Sequence, residues 1–308
     1  METPNMHLGP TAAPATPVSP LGVRPPLGPP TLGPRPFIGP PPGGLVEPLP
    51  ARRREIAANA TLVSRLDLTP SIARFVVRPD AGVPAFKPGQ YFALGLVVDG
   101  ALLQRPYSTA SAAGATEEVE FLVRRVGSGS FTPHLWDAAD GTRVWLGPPK
   151  GLFTLQPDDR RTHLFISTGT GLAPFISMSE ALMNGSDPGE GAPSRPGIVV
   201  VHGASYATEL AYRDRLDDWA ASSRLLYVPT VSRPDDPANA GWTGAVGRTE
   251  AILDSVCDRL ALLPDSTVAY ICGNPEMVEA ATATLRRRGF AAPAIIRENY
   301  WTITDPGR

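Results

Sequence analysis

The segment Ser-Thr-Gly-Thr-Gly-Leu-Ala-Pro at residues 167–174 joins an apolar run to a stretch with helical character. Its glycines allow a tight turn and let a phosphate group approach the main chain closely. Pro174 falls in the first turn of the expected helix, where proline is tolerated, although it replaces the third glycine of the usual dinucleotide-binding pattern. This strand–turn–helix pattern predicts an anion site that suits the pyrophosphate of a nicotinamide nucleotide.

Strand and helix patterns alternate along the chain after Arg161, which is typical of a parallel sheet with helices on its faces. We predict a doubly wound parallel sheet over residues 159–308, with loops at 184–196 and 233–244. The expected strands are 164–167, 198–201, 225–231 and 268–272. The expected helices are 173–183, 210–221, 249–260 and 276–288.

Residues 57–155 carry a different pattern, in which short strands are separated by glycine and proline turns. Residues 73–78 and 119–126 have the β-branched and aromatic content of strands, and residues 87–92 indicate a turn that leads into another strand. One helix is expected near residues 130–139. We predict an antiparallel six-stranded β-barrel over residues 53–158.

The first fifty residues include sixteen prolines. Because proline cannot donate a main-chain hydrogen bond, such a segment does not form regular sheets or helices. We expect residues 1–52 to be disordered or to adopt polyproline II, as an extension, a linker or a docking tail for a proline-binding module.

The overall composition indicates a globular, cytoplasmic protein. Apolar residues make up 42% and charged residues 19% of the chain, and the formal net charge is −2, which argues against nucleic acid as a partner. No run approaches the roughly 18 apolar residues of a membrane-spanning helix, and no secretory signal is apparent. The only cysteines, Cys257 and Cys272, exclude a disulfide framework and a four-thiolate iron–sulfur cluster.

The segment Arg-Pro-Tyr-Ser at residues 105–108 falls where a barrel strand is expected to end. An arginine offers a fork of N–H donors to phosphate oxygens, and a tyrosine ring packs against a flat heterocycle. The segment Gly-Ser-Gly-Ser-Phe-Thr-Pro at residues 127–133 opens the expected barrel-domain helix, where main-chain N–H groups suit an anion. Together the two segments indicate a flavin site, although each alone also fits an ordinary strand end or a capped helix.

The segment Cys-Gly-Asn-Pro-Glu-Met at residues 272–277 ends an expected strand and begins a helix. Open α/β sheets bind ligands at the carboxyl ends of their strands, so the Cys272 thiol is a candidate for packing beside a nicotinamide ring. The alternative is an ordinary buried cysteine that acts as a small hydrophobic side chain.

Seven short segments occur in an order and spacing that resemble one family. They are RPYS at 105–108, GSFTP at 129–133, GTGLAP at 169–174, ELAYRD at 209–214, VSR at 231–233, CGNP at 272–275 and ENYW at 298–301. Over residues 57–301 the chain resembles the flavin-dependent ferredoxin–NADP(+) reductases, particularly the bacterial type. The resemblance implies FAD bound by the barrel, NADP(H) bound by the α/β domain, hydride exchange between them, and single electrons passed to ferredoxin or flavodoxin.

The resemblance also implies roles for individual residues. Tyr300 is expected to cover the flavin ring and to move aside for the nicotinamide, with Trp301 against the adenine. The catalytic candidates are Ser108, Cys272, Glu298 and Tyr300. The cofactor-binding candidates on the flavin side are Arg105, Pro106, Tyr107, Ser108, Leu122, Val123, Ser130, Phe131, Thr132, Tyr300 and Trp301. Those on the nucleotide side are Thr168, Gly169, Thr170, Gly171, Ser232, Arg233 and Arg248.

The choice of nucleotide depends on Arg233 and Arg248, which the resemblance assigns to an adenosine 2′-phosphate. Family members often have arginine where this chain has Ser205, and Asp235 and Asp236 follow Arg233 closely. We therefore prefer NADP and keep NAD as an alternative.

Other functions and partners stay open. The chain is alternatively the reductase component of an oxygenase, a reductase of free flavin, or a non-catalytic flavin- and nucleotide-binding subunit of an electron-transfer complex. We expect a monomer. Because ferredoxin and flavodoxin are acidic carriers, we also expect a basic docking face. The candidate cations are the arginines at 52–54, Arg65, Arg74, Arg78 and the arginines at 286–288.

Overall fold

The computed structural model describes residues 57–185 and 197–299. These residues form two six-stranded sheets, the first antiparallel and the second parallel. The predicted fold class, an antiparallel six-stranded barrel followed by a doubly wound parallel sheet, is confirmed. The predicted N-terminal extension, most of the predicted loop at 184–196, and Tyr300 and Trp301 lie outside the described residues. The domain boundary at residue 158 stays a prediction, and it falls between the last strand of the first sheet and the first strand of the second.

The barrel strands follow one another in the order β4-β3-β6-β1-β2-β5, and every neighbouring pair is antiparallel. A short helix, α1 (Thr132–Asp137), connects β5 to β6. Large apolar side chains of the strands fill the interior of the barrel, and Phe75, Phe92 and Phe121 among them are fully buried. The strands are β1 (Ala60–Thr69), β2 (Ile72–Pro79), β3 (Tyr91–Val98), β4 (Ala101–Ser108), β5 (Val119–Arg124) and β6 (Arg143–Leu146).

The two edge strands of this sheet, β4 and β5, meet just beyond Ser108. Thr109 and Phe121 form an antiparallel bridge, and Ala110 N donates to Glu120 O over 2.8 Å. The hydroxyl of Thr109 donates to the same carbonyl over 3.0 Å. Because these bonds close the sheet on itself, the Arg-Pro-Tyr-Ser segment ends at the seam of the barrel.

The second sheet has the strand order β10-β9-β8-β7-β11-β12 and is parallel throughout. Alternate residues of each strand face opposite sides, so that Phe165 packs with α2 and α3 whereas Leu164 and Ile166 pack with α4 and α5. The strands are β7 (Thr162–Thr168), β8 (Ile198–Ala204), β9 (Leu226–Val231), β10 (Ala245–Val246), β11 (Thr267–Gly273) and β12 (Ile295–Asn299). The helices are α2 (Ala173–Asn184), α3 (Arg213–Ala221), α4 (Thr249–Arg259) and α5 (Pro275–Arg287).

The strand order reverses between β7 and β11, because the chain builds β8 to β10 on one side of β7 and then returns to the other side. In open α/β sheets the crevice at such a switch point, outside the carboxyl ends of the strands, is where ligands bind. The two strands end at Thr168 and Gly273. The fold therefore brings the predicted glycine-rich turn and the Cys-Gly-Asn-Pro segment to the same place.

The helices of the second domain depart from the expected elements in two places. Helix α3 begins at Arg213 instead of residue 210, because Tyr212 has a φ of +56° and this left-handed conformation cannot continue a right-handed helix. A 3₁₀ turn at Gly169–Leu172 precedes α2. Among the described helices, none has the length and hydropathy needed to cross a bilayer.

Candidate active site

On the barrel side, Arg105 and Ser130 meet although they are far apart in sequence. Arg105 Nη2 donates to Ser130 Oγ over 2.8 Å, and its Nη1 donates to the carbonyl of Gln104. Arg105, Pro106 and Ser130 are exposed, and among the described residues Arg105 has no carboxylate partner. An uncompensated guanidinium beside a hydroxyl is a donor set that fits a phosphate or diphosphate group.

Tyr107 is half-buried on the rim of the barrel core. Its ring lies 6.1 Å from that of Phe131 and 6.5 Å from that of Phe121, measured between centroids. Burial raises the pKa of the Tyr107 phenol, so the group stays neutral. Phe131 is itself buried and supports the ring of Tyr107 from the barrel side.

The side chains of three further flavin-site candidates, Thr132, Leu122 and Val123, make contacts within the protein. The hydroxyl of Thr132 accepts from Val126 N and donates to Val126 O, over 2.9 and 3.0 Å, which closes the loop before α1. Leu122 belongs to the cluster shared with the α/β domain, and Val123 to the barrel core. A cofactor contact by these residues would use main-chain atoms, and it stays a prediction.

On the nucleotide side, a cleft of about 400 Å³ opens at the carboxyl edge of the parallel sheet. It brings together five of the predicted residues, which are Thr168, Gly169, Thr170, Ser232 and Arg248. Its other polar side chains include three that were not predicted as nucleotide-binding, which are Arg124, Glu209 and Asn274.

The glycine-rich turn owes its shape to close packing against β11. A Cβ atom at Gly171 would lie 2.4 Å from the carbonyl oxygen of Cys272, a separation that no side chain could occupy. Gly169 has a φ of +54°, in the left-handed region that favours glycine. Asn274 N donates to Thr168 Oγ1 over 3.0 Å. The two loops therefore form one unit at the switch point.

His202 supports this turn from below, a role that the sequence did not indicate. Its Nε2 lies 3.1 Å from the carbonyl oxygen of Gly169, and its Nδ1 lies 3.4 Å from the hydroxyl of Tyr227. Burial lowers the pKa of His202 to about 4, so the ring is neutral near pH 7. A neutral ring bonded to a carbonyl carries its proton on the nitrogen that faces that oxygen.

Most charges of the nucleotide cleft are paired. Arg124 lies 3.5 Å from Glu209, and Arg248 lies 2.9 Å from Glu250. Arg233 has no ion pair among the described residues, and it does not line the cleft. Its Nη1 donates to the hydroxyl of Tyr206 over 2.7 Å, and its guanidinium carbon lies 5.4 Å from the centroid of that ring.

Arg124 is the most informative residue that the sequence did not reveal. It ends β5 of the barrel, yet it lines the cleft of the other domain. A Cβ atom at Gly169 would lie 3.1 Å from its Nη2, so the guanidinium lies directly over the turn. The only sequence signal was a pair of arginines after an apolar strand, which does not predict a contact between domains.

The two sides of the site meet at Ser108 and Glu298. Ser108 Oγ donates to Glu298 Oε2 over 3.4 Å, although Ser108 ends β4 of the barrel and Glu298 lies near the end of β12 in the other domain. Burial raises the pKa of Glu298 to about 7, and the bond from Ser108 opposes this shift. Cys272 lies opposite Glu298 in the ladder between β11 and β12 and is fully buried. Three of the four predicted catalytic residues are thus neighbours, and the fourth, Tyr300, is outside the described residues.

Two family models match this architecture. The oxidoreductase FAD-binding domain matches residues 59–155, and the oxidoreductase NAD-binding domain matches residues 165–283. The first covers the barrel and the second covers most of the parallel sheet. The predicted cofactor classes, a flavin and a nicotinamide nucleotide, are therefore confirmed.

Individual relatives cover both domains. Ferredoxin–NADP reductase B of Sorangium cellulosum is 30% identical over 223 residues, which are 71% of this chain and 87% of that protein. The reductase subunit of an aromatic O-demethylase from Amycolatopsis is 32% identical over 222 residues, which are 70% of this chain and 61% of that protein. A solved ferredoxin NADP+ reductase from Neisseria gonorrhoeae, with bound FAD and NADP, has a TM-score of 0.66 at 26% identity and covers 79% of this chain and 98% of its own.

The fold and the paired cofactor domains define a flavin-dependent oxidoreductase. The chain belongs to the ferredoxin–NADP reductase family, as the sequence segments predicted.

The raised pKa of Glu298 gives a prediction for stability. In the unfolded chain this carboxyl loses its proton near its ordinary pKa of 4.5, but in the folded protein it does so near 7. The folded state therefore binds more protons between these values, and the contribution of Glu298 to the free energy of unfolding falls as pH rises through this window. Glu298→Gln, which keeps an oxygen for Ser108, should be more stable relative to the wild type at pH 8 than at pH 5.

Urea unfolding of the flavin-loaded protein at pH 5, 6, 7 and 8 measures this difference. A difference that does not change with pH, or that shrinks towards pH 8, would contradict the assigned pKa.

Proposed function

We propose that this protein transfers hydride between NADP(H) and FAD and exchanges single electrons with ferredoxin or flavodoxin. The observation that carries the proposal is the contact between Ser108 and Glu298, because it joins the end of the flavin-domain segment to the edge of the nucleotide-domain sheet. A bound flavin accepts two electrons as hydride and releases them one at a time. A site with this function needs both cofactors at one junction, and this contact lies there.

On the flavin side, the residues divide between the two ends of the cofactor. Arg105 and Ser130 are suited to the diphosphate, and Tyr107 is suited to the ring system, since its ring is held against Phe131. Ser108 would lie at the reactive end of the ring, where its hydroxyl can donate to the flavin only when it accepts a hydrogen bond from Glu298 instead of donating to it. Glu298, with a pKa of about 7, is close to half protonated at neutral pH, and its protonated form would pass a proton through the hydroxyl of Ser108. Cys272, behind this pair, excludes water from the junction.

On the nucleotide side, the turn at residues 168–171 is suited to the pyrophosphate, because its glycines leave the main chain accessible and α2 begins directly after it. Helix N-termini favour anions. Arg124 supplies the positive charge from above the turn. Binding therefore requires the pyrophosphate to compete with Glu209 for this guanidinium.

The preference for NADP is supported by the arrangement at the far end of the cleft. Ser232 and Arg248 line it, and Arg233 lies beside it against Tyr206. A hydroxyl and two guanidinium groups match a 2′-phosphate. The Neisseria structure, which has NADP bound, is of the same fold. This end of the cleft has one cation fewer than in many family members, because Ser205 stands where they have arginine. The choice between NADPH and NADH is therefore tested directly.

The deciding experiment is stopped-flow reduction of the flavin-loaded protein by NADPH and by NADH. We expect both nucleotides to bleach the flavin absorbance, with the larger kcat/KM for NADPH. Faster reduction by NADH would reverse the nucleotide assignment. No bleaching with either nucleotide would favour a non-catalytic flavin- and nucleotide-binding subunit.

Replacing Arg124 tests the pyrophosphate assignment. Since both nucleotides contain the pyrophosphate, Arg124→Ala should weaken the binding of NADPH and NADH equally, by about tenfold, the range of a charge-assisted hydrogen bond. Dissociation constants from flavin difference spectra measure this effect. Arg125→Ala removes the neighbouring exposed arginine, which does not line the cleft, and should leave both constants unchanged. A loss confined to NADPH would assign Arg124 to the 2′-phosphate instead.

The expected basic docking face needs revision, because most of its arginines are already paired. Arg286 has no such pair among the described residues, and the arginines at 52–54 lie outside them. The pairs are Arg65 with Asp67, Arg74 with Glu120, Arg78 with Glu118, and Arg287 and Arg288 with Asp254.

The two lysines of the chain offer a better docking surface. The chain has 28 basic residues, of which only Lys87 and Lys150 are lysines, and neither has an ion pair among the described residues. Their loops are joined through Tyr91, which pairs with Lys150 on one side and with Ser108 on the other. Leu152, two residues after Lys150, is 97% exposed. Two lysines on loops that meet beside the end of β4, with an exposed apolar side chain in one of these loops, suit an acidic electron carrier.

Neutralising both lysines tests this surface. Lys87→Ala/Lys150→Ala should lower kcat/KM for reduction of an acidic ferredoxin by about tenfold at low ionic strength, and by less in high salt, because steering is screened. Ferricyanide reduction by NADPH, which needs no docking, measures the intact flavin site. The matched control is Arg65→Ala/Arg78→Ala, which removes two paired cations. An equal loss in the control, or none in the lysine variant, would place the docking face elsewhere.

A second function, as the reductase of an oxygenase, is favoured by relatives that are oxygenase reductases, among them the aromatic O-demethylase subunit. The hydride chemistry would be the same and only the acceptor would differ. Rapid reduction of an oxygenase component with slow reduction of free ferredoxin would support this alternative.

A further inference from the structure

The loop between β9 and β10 contains a buried asparagine that does not line the nucleotide cleft. Asn239 is 3% exposed and ends a 3₁₀ turn at Pro237–Asn239. Burying a primary amide costs free energy unless its donors and its oxygen are all hydrogen-bonded. The groups that satisfy this amide therefore show what it holds together.

The side chain of Asn239 binds two loops of the sheet at once. Its Nδ2 donates to the carbonyl oxygen of Ser205 over 3.0 Å and to that of Arg233 over 2.8 Å. Its Oδ1 accepts from Ala207 N over 2.8 Å. Because two carbonyls and one N–H group face the amide, only one orientation of the side chain satisfies all three.

The two loops carry neighbouring parts of the nucleotide site. The segment after β8 contains Ser205, which lines the cleft, and Tyr206. The segment after β9 contains Ser232, which also lines it, and Arg233, which bonds to Tyr206. The main-chain groups that bond to Asn239 belong to Ser205 and Ala207, which flank Tyr206, and to Arg233 itself. Asn239 thus fixes the main chain of both partners in the Tyr206–Arg233 pair.

We propose that Asn239 is a positioning residue for nucleotide selectivity, which holds Tyr206 and Arg233 in the geometry that recognises the 2′-phosphate of NADPH. The proposal rests on the proposed function of this cleft. Without the clamp, each loop would have to be ordered when the nucleotide binds, and that loss of conformational entropy would weaken affinity. The weakening would apply to the phosphate that distinguishes NADPH from NADH and would leave the shared pyrophosphate site intact.

Removal of the amide is the first test. Asn239→Ala should lower the ratio of kcat/KM for NADPH to kcat/KM for NADH by about tenfold, which corresponds to roughly 1.4 kcal/mol. The change should appear in KM for NADPH, with the flavin content of the purified protein unaltered. Binding of 2′,5′-ADP and of AMP, measured by calorimetry, gives the same comparison without any turnover.

A double variant separates positioning from general destabilisation. If Asn239 acts through Arg233, the two changes share one interaction. The ratio of kcat/KM for NADPH to kcat/KM for NADH should then be no lower in Arg233→Ala/Asn239→Ala than in Arg233→Ala. Independent effects that multiply would overturn the proposal.

The matched control is another asparagine that clamps main chain, far from the cleft. Asn59 in the barrel accepts from Leu146 N over 2.7 Å and donates to Leu146 O over 2.9 Å. Asn59→Ala should lower the thermal midpoint and leave nucleotide selectivity unchanged. A control that shifts selectivity as much as Asn239→Ala would assign the effect to stability alone.

Asn239→Asp provides a second variant that keeps the shape and the acceptor for Ala207 N. Its carboxylate would face the carbonyl oxygens of Ser205 and Arg233, and it regains a donor only when protonated. We expect selectivity for NADPH to be low at pH 8 and to recover as pH falls. Unchanged selectivity in both variants would overturn the role of Asn239 while leaving the proposed reaction intact. If wild-type protein binds AMP as tightly as 2′,5′-ADP, the assignment of NADP and this inference both fail.

Discussion

The structure depends on the two-sided packing of a single barrel strand, β5. Alternate residues of a strand point to opposite faces. Val119, Phe121 and Val123 enter the barrel core. The other three residues of the strand face the α/β domain: Leu122 joins its hydrophobic cluster, Glu120 accepts a hydrogen bond from Tyr212, and Arg124 pairs with Glu209. Six residues therefore complete the barrel and fix the second domain against it, which sets the position of one cofactor site relative to the other.

This arrangement explains what could be predicted from the sequence. The β5 strand and its apolar content were predictable, because the pattern is local. Its pairing to Thr109 across the seam, and the reach of Arg124 to the glycine-rich turn, depend on contacts between distant residues and have no local signal. The same holds for Glu298 and Ser108. Motif order placed both residues in the site, but only the fold shows that they are bonded.

Charge is the property that sequence patterns predicted least well. Arg65, Arg74 and Arg78 looked like a basic face, yet each has a carboxylate partner, and two of these partners, Glu118 and Glu120, lie on another part of the barrel. Counting cations along a chain cannot detect such compensation. Lys87 and Lys150 were overlooked because they are isolated in sequence, and their loops are joined by contacts that have no local signal: Gln90 bonds both to Lys87 N and to Gly151 O.

The site separates fixed charge from the place where the two cofactor rings would meet. Arg105 lies at one end and Arg124 and Arg248 lie at the other, where phosphates belong. Tyr107 beside Arg105 and His202 beneath the glycine-rich turn are kept neutral by burial, and Glu298 at the junction changes its charge near pH 7. A permanent charge beside the flavin ring would favour one redox state over the other, because a poorly solvated site strengthens electrostatic interactions. Under the proposed function, Glu298, which bonds to Ser108 at the junction, would supply or take up the proton that accompanies hydride transfer.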